Sequence, residues 1–496
     1  MTERRRLLGA LCLPLLLPAC RSGPQYERPA IDMPPAWRVE APWRVARPDD
    51  RRSRGPWWSR FADPQLDALQ EKALAGSPTL AAAAARLAAA GAQLDVAIAA
   101  RYPQLSASLR DQRLRISSER PLSRYNTPQY STAQSDYLGL LGASYEIDVA
   151  GRVSALVEGA RASAAQSAAE FENVRLLLTA DLASAYFNLR AIDVELDVVA
   201  RAIALQRRSL AYVQSRHALG AASGVDLAQQ QALLDSTLTQ VDLLRRQRSQ
   251  FENAIATLTG TPAPLFQLPP QPHPLVPPEV PIGVPSDLLE RRPDVAAAER
   301  AMAAANAQVG VSEAAFYPSI SLGGTYGSQS RDLATLFSTP ALVWSLGASA
   351  ALTLFDGGRL RGLSAGAKAG YELSVANYRR VVLAAMQEVE DGILGLAALE
   401  RAHAQALKAV ASTSRVLELA NARYEGGLAN SLEVIVAQQA RLNSERLAAQ
   451  VLGQRMLASV FLVRALGGDW EGLASTDSRP AAPAAPGESG APPAVR

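Results

Sequence analysis

A duplication constrains this chain more than any other feature. The stretch RHALGAASGVDLAQQ, Arg216 to Gln230, returns as RYEGGLANSLEVIVAQQ, Arg423 to Gln439. Each copy is a short Gly-containing turn between two long Ala-rich segments, which makes it the tip of a helical hairpin. The offset holds well beyond the tips. Gly220 and Gly427 are 427 − 220 = 207 residues apart, as are Gly151 and Gly358, and Gly260 and Gly467. Upstream, Pro78 and Pro293 differ by 293 − 78 = 215, as do Pro103 and Pro318. The second copy is shorter by 215 − 207 = 8 residues, all lost between Pro318 and Gly358. A long-period duplication with one indel in a loop predicts two similar halves.

Each half holds the same succession of patterns. From Gly151 to His217 there is no Pro and little but good helix formers. That predicts a helix of about 100 Å at 1.5 Å per residue. The return helix is expected from Val225 to about Leu258, and the second half copies the pair with Arg359 to Tyr424 and Leu432 to about Leu466. Helices this long are odd in a globular domain and expected in a tube. Between helices, four runs alternate. Leu105, Ala107 and Leu109 share one face of Gln104–Leu109, and Tyr137, Gly139, Leu141, Ala143, Tyr145 and Ile147 share one face of Tyr137–Asp148. Ile320, Leu322, Gly324 and Tyr326 do the same in Ser319–Gly327, and Trp344, Leu346, Ala348, Ala350, Leu352 and Leu354 in Trp344–Phe355. Ser106 and Ser108 lie on the opposite face of the first run, Ser319, Ser321, Gly323 and Thr325 on that of the third, and Ser345, Gly347, Ser349 and Thr353 on that of the fourth. A membrane barrel with a wet lumen needs this pattern, and so does a half-buried soluble sheet. Four strands cannot close a lumen, since small barrels use about eight, so closure predicts an oligomer. The mature chain has no eighteen consecutive apolar residues, so no transmembrane helix is expected and spanning would require a closed barrel.

The N-terminus reads as a targeting signal, with Arg4–Arg6, an apolar Leu7 to Leu17 and then Leu17-Pro18-Ala19-Cys20, close to a bacterial lipobox. An ordinary signal peptide containing a Cys fits the same pattern, with Pro18 a departure from the usual lipobox. Cys12 would leave with residues 1–19, so Cys20 would be the only mature Cys, which favours lipid attachment over a disulfide. A lipid chain would add about 0.8 kcal/mol per buried CH₂. Without residues 1–19 the chain has 47 basic and 46 acidic groups, a net +1. That balance gives no electrostatic reason to bind nucleic acid. Residues 20–60 read as extended chain pinned by Trp37, Trp43, Trp57 and Trp58; Asp63 and Pro64 start a helix that Ser77-Pro78 breaks. The first repeat is placed at 61–260, with a β-hairpin at about 102–149 and a tip at about 217–226. A Pro-rich linker follows at 261–285. The second repeat is placed at 286–470, with a β-hairpin at about 317–356 and a tip at about 424–433, and a disordered tail at 471–496.

Chemistry of the catalytic kind is not expected. GLSAG at 362–366 matches the G-x-S-x-G pattern, but the corresponding stretch of the first half, ALVEG at 155–159, has no serine. His217, His273 and His403 do not sit beside suitable partners, and no His/Cys/Asp cluster has metal spacing. No cofactor is expected beyond the Cys20 lipid.

Several stretches together resemble the TolC-like outer-membrane factors, closest to the OprM/NodT-type efflux lipoproteins: the lipobox, FADPQLDAL, PSDLLERRPDVAAAE at 285–299, FYPSISL at 316–322, LFDGGR at 354–359 and the duplicated hairpin. The resemblance covers about residues 20–470. It implies a mixed α and β membrane protein: a trimeric twelve-stranded outer-membrane β-barrel, four strands per chain, continuous with a long periplasmic coiled-coil barrel. The implied function is the passive exit duct of a tripartite RND-type multidrug efflux pump, with a periplasmic adaptor and an inner-membrane pump as partners and outer-membrane lipid around it. A protein-secretion duct and a periplasmic scaffold or adaptor lipoprotein are the alternatives. By the resemblance, Gly220 and Gly427 are tip residues that adaptor hairpins pack against, a place where glycine permits close approach. Asp226 and Tyr424 match the carboxylate and phenol of a closed gate, and Glu433 an acid of its aperture. Val436 stands where relatives usually have a second acid, and Ala429 where some have an arginine. The gate is therefore expected to lean on apolar contacts such as Leu432 and Val436. N-capping of a helix is nearly as good an account of Asp226, since an acidic residue at a first turn suits the dipole.

Overall fold

The computed structural model describes residue 26 and residues 55–115, 133–271, 275–278 and 292–468. The expected signal peptide, the Cys20 site, most of segment 20–60, residues 285–291 of the PSDLLERRPD motif and the 471–496 tail lie outside the described residues. Among those described, the order is α1 (Pro64–Gly76), α2 (Pro78–Ala99), β1 (Gln104–Arg115), β2 (Ala133–Ile147), α3 (Arg152–Ala218), α4 (Gly224–Leu258), α5 (Pro293–Ala314), β3 (Ser319–Ser330), β4 (Leu342–Ala351), α6 (Arg359–Glu425) and α7 (Ser431–Ala465). Helices at matching places have equal lengths: 22 residues for α2 and α5, 67 for α3 and α6, and 35 for α4 and α7.

The chain divides into two compact units. One holds Thr79–Val174 and Pro293–Leu383, and therefore the whole sheet. The four strands pair antiparallel in the order β1-β2-β3-β4. The registers bring the predicted apolar faces together: Ala107 faces Leu141, Leu141 faces Tyr326, and Tyr326 faces Trp344. Strands β1 and β4 are the two edges. The expected fourth run is too long at its end, because β4 stops at Ala351, paired with Ser319. Its partner strand begins there, after Pro318, which has no N–H to donate, so Leu352 and Leu354 lie beyond the strand. The exit from β2 is fixed locally. Asp148 accepts from Val153 N–H at 2.9 Å and Ser154 N–H at 2.7 Å, and Arg152 grips Glu146 through Nε at 2.8 Å. Helices α3 and α5 pack closely here, and a Cβ on Gly159 would touch Ala307 at 3.4 Å.

The second unit holds Met33–Pro78, Arg175–Arg292 and the chain from Ala384 onward. Its core gathers Trp57, Trp58, Phe61, Leu66, Leu182, Tyr186, Phe187, Ile255 and Val460. The expectation of extended chain to residue 60 is corrected here, since Trp57–Phe61 is a 3-10 turn whose two tryptophans are buried. Burial of those rings outweighs the extended conformation that the neighbouring prolines favour. Asp63 caps α1 as expected, accepting from Gln65 and Leu66 N–H, and its second oxygen accepts from Tyr186 Oη at 2.5 Å. A buried charge cluster pins the chain after α4. Asp193 accepts from Arg190 at 2.7 Å, Arg248 at 2.7 Å and Gln271 N–H at 3.2 Å, while Arg248 also donates to Leu268 O at 2.5 Å. A buried carboxylate with three donors is satisfied; stripped of them it would be strongly destabilising. Among the described residues, α2 is the one helix long and apolar enough to cross a membrane by length and composition, although Arg86 and Asp95 interrupt its alanines.

Candidate functional site: hairpin tips and strand faces

Both helical hairpins of the second unit close in the same way. Gly220 and Gly427 have φ +72°. At the first tip Gly220 N–H donates to His217 O at 2.9 Å and Ala221 N–H to Arg216 O at 2.8 Å; at the second, Gly427 N–H donates to Tyr424 O at 3.1 Å and Leu428 N–H to Arg423 O at 2.8 Å. This is the two-bond closure of a helix end around one left-handed residue. Arg216 and Arg423 add the same further bond, from Nη2 to Ala221 O at 3.3 Å and to Leu428 O at 3.4 Å. A Cβ at either glycine would meet nothing within 4 Å. Within the chain itself, glycine is favoured here by the left-handed backbone conformation.

The acids that open the return helices behave differently. Asp226 sits in the first turn of α4 and forms a capping box with Ser223, whose N–H and Oγ donate to Oδ2 at 3.0 and 2.8 Å while Asp226 N–H donates back at 3.2 Å. Its other oxygen accepts a short hydrogen bond from Ser431 of the second hairpin. Ser431 and Ser223 hold the Asp226 carboxyl below the usual carboxylate range, with Arg216 adding to the effect. The capping account of Asp226 is therefore correct, and a cross-hairpin bond comes with it. Tyr424 does not meet Asp226. Its ring lies edge-on to Tyr212, centroids 6.0 Å apart, and the Arg216 guanidinium lies over both rings at 5.3 and 5.9 Å. Glu433, at the corresponding place on α7, pairs with Arg423 at 3.6 Å on an exposed surface. Asn430 caps that helix by accepting from Glu433 N–H at 3.2 Å.

Leu432 and Val436 are half-exposed, and with Ile435, Leu233, Gln229 and Asn443 they line a groove of about 650 Å³ between α4 and α7. The structure thus joins Asp226 to the second hairpin through Ser431, which sequence reading missed. It also missed Arg216, Arg423 and Tyr212. The two arginines were legible as the residues that open both copies of the repeat. Ser364 of GLSAG lies inside α6, buried, and not at a strand-to-helix turn. Among the described residues no group of His, Cys, Asp and Glu could hold a metal ion.

The sheet has two unlike faces. On one, Ser321 and Ser349 share a hydrogen bond at 2.8 Å, Thr325 and Ser345 one at 2.7 Å, and Asp136 accepts from Gln112 at 3.2 Å and Gln329 at 2.8 Å. On the other, Leu105 (82%), Leu109 (88%), Trp344 (72%) and Leu346 (82%) stand open. A contiguous exposed apolar face of this kind marks a surface that another apolar phase must cover.

The profile of the family described as "Outer membrane efflux protein" matches residues 69–261 and 284–468. The chain belongs to that family. The starts of the two matched segments are 284 − 69 = 215 apart and their ends 468 − 261 = 207 apart, the same two offsets the repeat shows. Relatives agree over nearly full length. The chain is similar to the outer membrane protein OprJ of Pseudomonas aeruginosa, 33% identical over 94% of this chain and 96% of that protein. It is 32% identical to the pyoverdine export outer membrane protein OpmQ of the same organism over 96% and 100%. Among solved structures, a membrane protein from Pseudomonas aeruginosa superposes with a TM-score of 0.82 at 31% identity, covering 90% of this chain and 97% of the other. The outer-membrane channel OprN gives 0.81 at 27% identity, covering 91% and 100%. Family membership places this outer membrane efflux protein in the outer membrane, and its relatives are transport ducts, not enzymes.

Proposed function

We propose that this efflux protein works as a homotrimer: a twelve-stranded barrel in the outer membrane and a helical barrel in the periplasm, forming the passive exit duct of a tripartite RND-type pump. The observation that carries the reading is the four-stranded sheet, with two unpaired edge strands and one exposed apolar face. A lone open sheet would leave backbone groups unsatisfied in hydrocarbon, whereas three copies joined edge to edge leave none. The polar face, with its serine and threonine pairs, then lines a wet lumen. The lipid at Cys20 anchors the mature N-terminus. No fuel is bound; the inner-membrane pump supplies the energy.

The periplasmic gate is the pair of hairpin tips. Asp226 and Ser431 hold the two hairpins of one protomer together, Tyr424 packs under Arg216, and Leu432, Glu433 and Val436 face the aperture. Adaptor hairpins dock at Gly220 and Gly427 and open the tip. The cargo is small molecules. Relatives carry names as different as pyoverdine export and cation efflux, which fits a duct that leaves selection to its pump. Single-channel recording of the purified trimer in a planar bilayer tests the proposal. Small steps that grow when the tip bonds are removed are expected; no conductance after deletion of both tips would overturn it.

A further inference from the structure

A second cavity in the helical unit, of about 270 Å³, is lined by α3, α6 and α7. On α3, Arg201, Leu205 and Arg208 follow one another at i, i+4 and i+7, so they share one helix face. On α7, Gln438, Arg441, Leu442 and Glu445 share a face in the same way. Leu417 of α6 adds to the apolar wall. Two glutamines of the lining are buried. Gln206 is 1% exposed, and neither its Nε2 nor its Oε1 has a hydrogen-bond partner among the described residues. Gln438 is held by Ser209, to whose Oγ its Nε2 donates at 2.8 Å, while its Oε1 has no partner. Buried carboxamide atoms left unpaired are costly, so three of them on one cavity point to a group that meets them there.

Water alone would meet the amides, but the charge of the lining asks for an anion. Arg201 is paired with Asp197, and Arg441 donates to Glu445 at 2.9 Å. Arg208 has no ion pair among the described residues; its guanidinium donates through Nε to Ala204 O at 3.3 Å. Its two Nη groups are therefore available to a carboxylate, which a guanidinium fork matches two bonds at a time. We infer that this cavity binds a small N-acylated amino acid. Its carboxylate pairs with Arg208, and its amide donates to and accepts from the Gln206 carboxamide. Its apolar side chain lies against Leu205, Leu417 and Leu442. A few placed polar groups over an apolar wall are what a small-molecule site consists of. Because α3 belongs to the first hairpin and α6 and α7 to the second, the bound molecule joins the two hairpins, as the Asp226–Ser431 bond does at the tips.

The test is calorimetric titration of the full-length protein in detergent with three probes: N-acetyl-leucine, N-acetyl-leucinamide, which lacks the carboxylate, and isocaproate, which lacks the amide. N-acetyl-leucine is expected to bind, and each of the other two about tenfold more weakly, the size expected for losing a charge-assisted or paired contact. Two variants then move the preferences separately. Arg208→Gln should weaken N-acetyl-leucine about tenfold and bring it level with its amide. Gln206→Leu should bring it level with isocaproate and leave the preference for the acid over the amide in place. A merely structural role for either residue would lower all three affinities together. Gln206 is buried; should its variant fail to fold, the exposed Arg208→Gln still decides the matter through the acid-against-amide ratio. No binding of N-acetyl-leucine to the wild type overturns the site, and so does equal binding of the three probes. An acid preference that survives Arg208→Gln overturns it as well.

Discussion

The two hairpin tips share a backbone and differ in what their charges hold. Each ends its long helix around a glycine at φ +72°, and each has an arginine that reaches back to the turn carbonyl. At the first tip the acid, Asp226, is fully engaged by Ser223 and by Ser431 of the other hairpin. At the second, the matching acid, Glu433, turns to Arg423 across an exposed surface. Arg216 is thereby left to cover the Tyr212 and Tyr424 rings, a place its counterpart does not take. Duplication preserved what the turn geometry demands and let the surface chemistry diverge. One tip acts as a strap between hairpins, the other as a solvated end.

The sharpest way to break this contrast is to cut the strap. Asp226→Ala with Tyr424→Phe should give the largest change, a several-fold rise in single-channel conductance over wild type, and unchanged conductance would remove both residues from the gate. Next come the glycines. Because both tips have the same φ and open space around Cβ, Gly220→Ala and Gly427→Ala should each destabilise by about 1 kcal/mol, and by similar amounts. A clear inequality in thermal or denaturant unfolding of the two variants would show that one glycine answers to crowding in the assembly. Ser431→Gly puts into the second copy the residue that the first has at the matching place, Gly224. It should remove the cross-hairpin bond and cost about 1 kcal/mol, whereas Glu433→Gln should cost no more than about 0.5 kcal/mol because its ion pair is exposed. A double-mutant cycle between Asp226→Ala and Ser431→Gly measures the strap directly; additivity would mean that it does not hold.

The smallest effect is in pH. The carboxyl of Asp226 is lowered in the folded chain, so its stabilising contribution is present above the unfolded value near 3.9 and is lost as pH falls through the folded value. Amide exchange at residues 219–226 should therefore stay constant from neutral pH down to about 4, after allowance for intrinsic rates, and accelerate only below that. Acceleration between pH 7 and 5 would point to a different group.

Much of this architecture was legible because it depends on period and punctuation. The long helices follow from 67 residues, Gly151 to His217, without proline, and the strand faces from alternation that the registers then bring side by side. Asp63 and Pro64 started α1 as expected. The misses have a common cause. Trp57 and Trp58 sit in a proline- and arginine-rich stretch, and only the core beneath them makes a 3-10 turn the better conformation. The strand after Trp344 ended early because its partner ran out at Ser319. Nothing local to Ser431 indicates Asp226, which is 205 residues away.

By itself the sequence determined the order and approximate length of the long helices, the two faces of each strand and the glycine at each turn, since these depend on neighbours within a few residues. The tertiary structure decided which partner each polar group took: Asp226 with Ser431, Arg216 over Tyr424, Asp193 with Arg190 and Arg248. Those choices depend on which side chains the packed helices bring within about 3 Å, the length of a hydrogen bond. No periodicity along the chain encodes that distance.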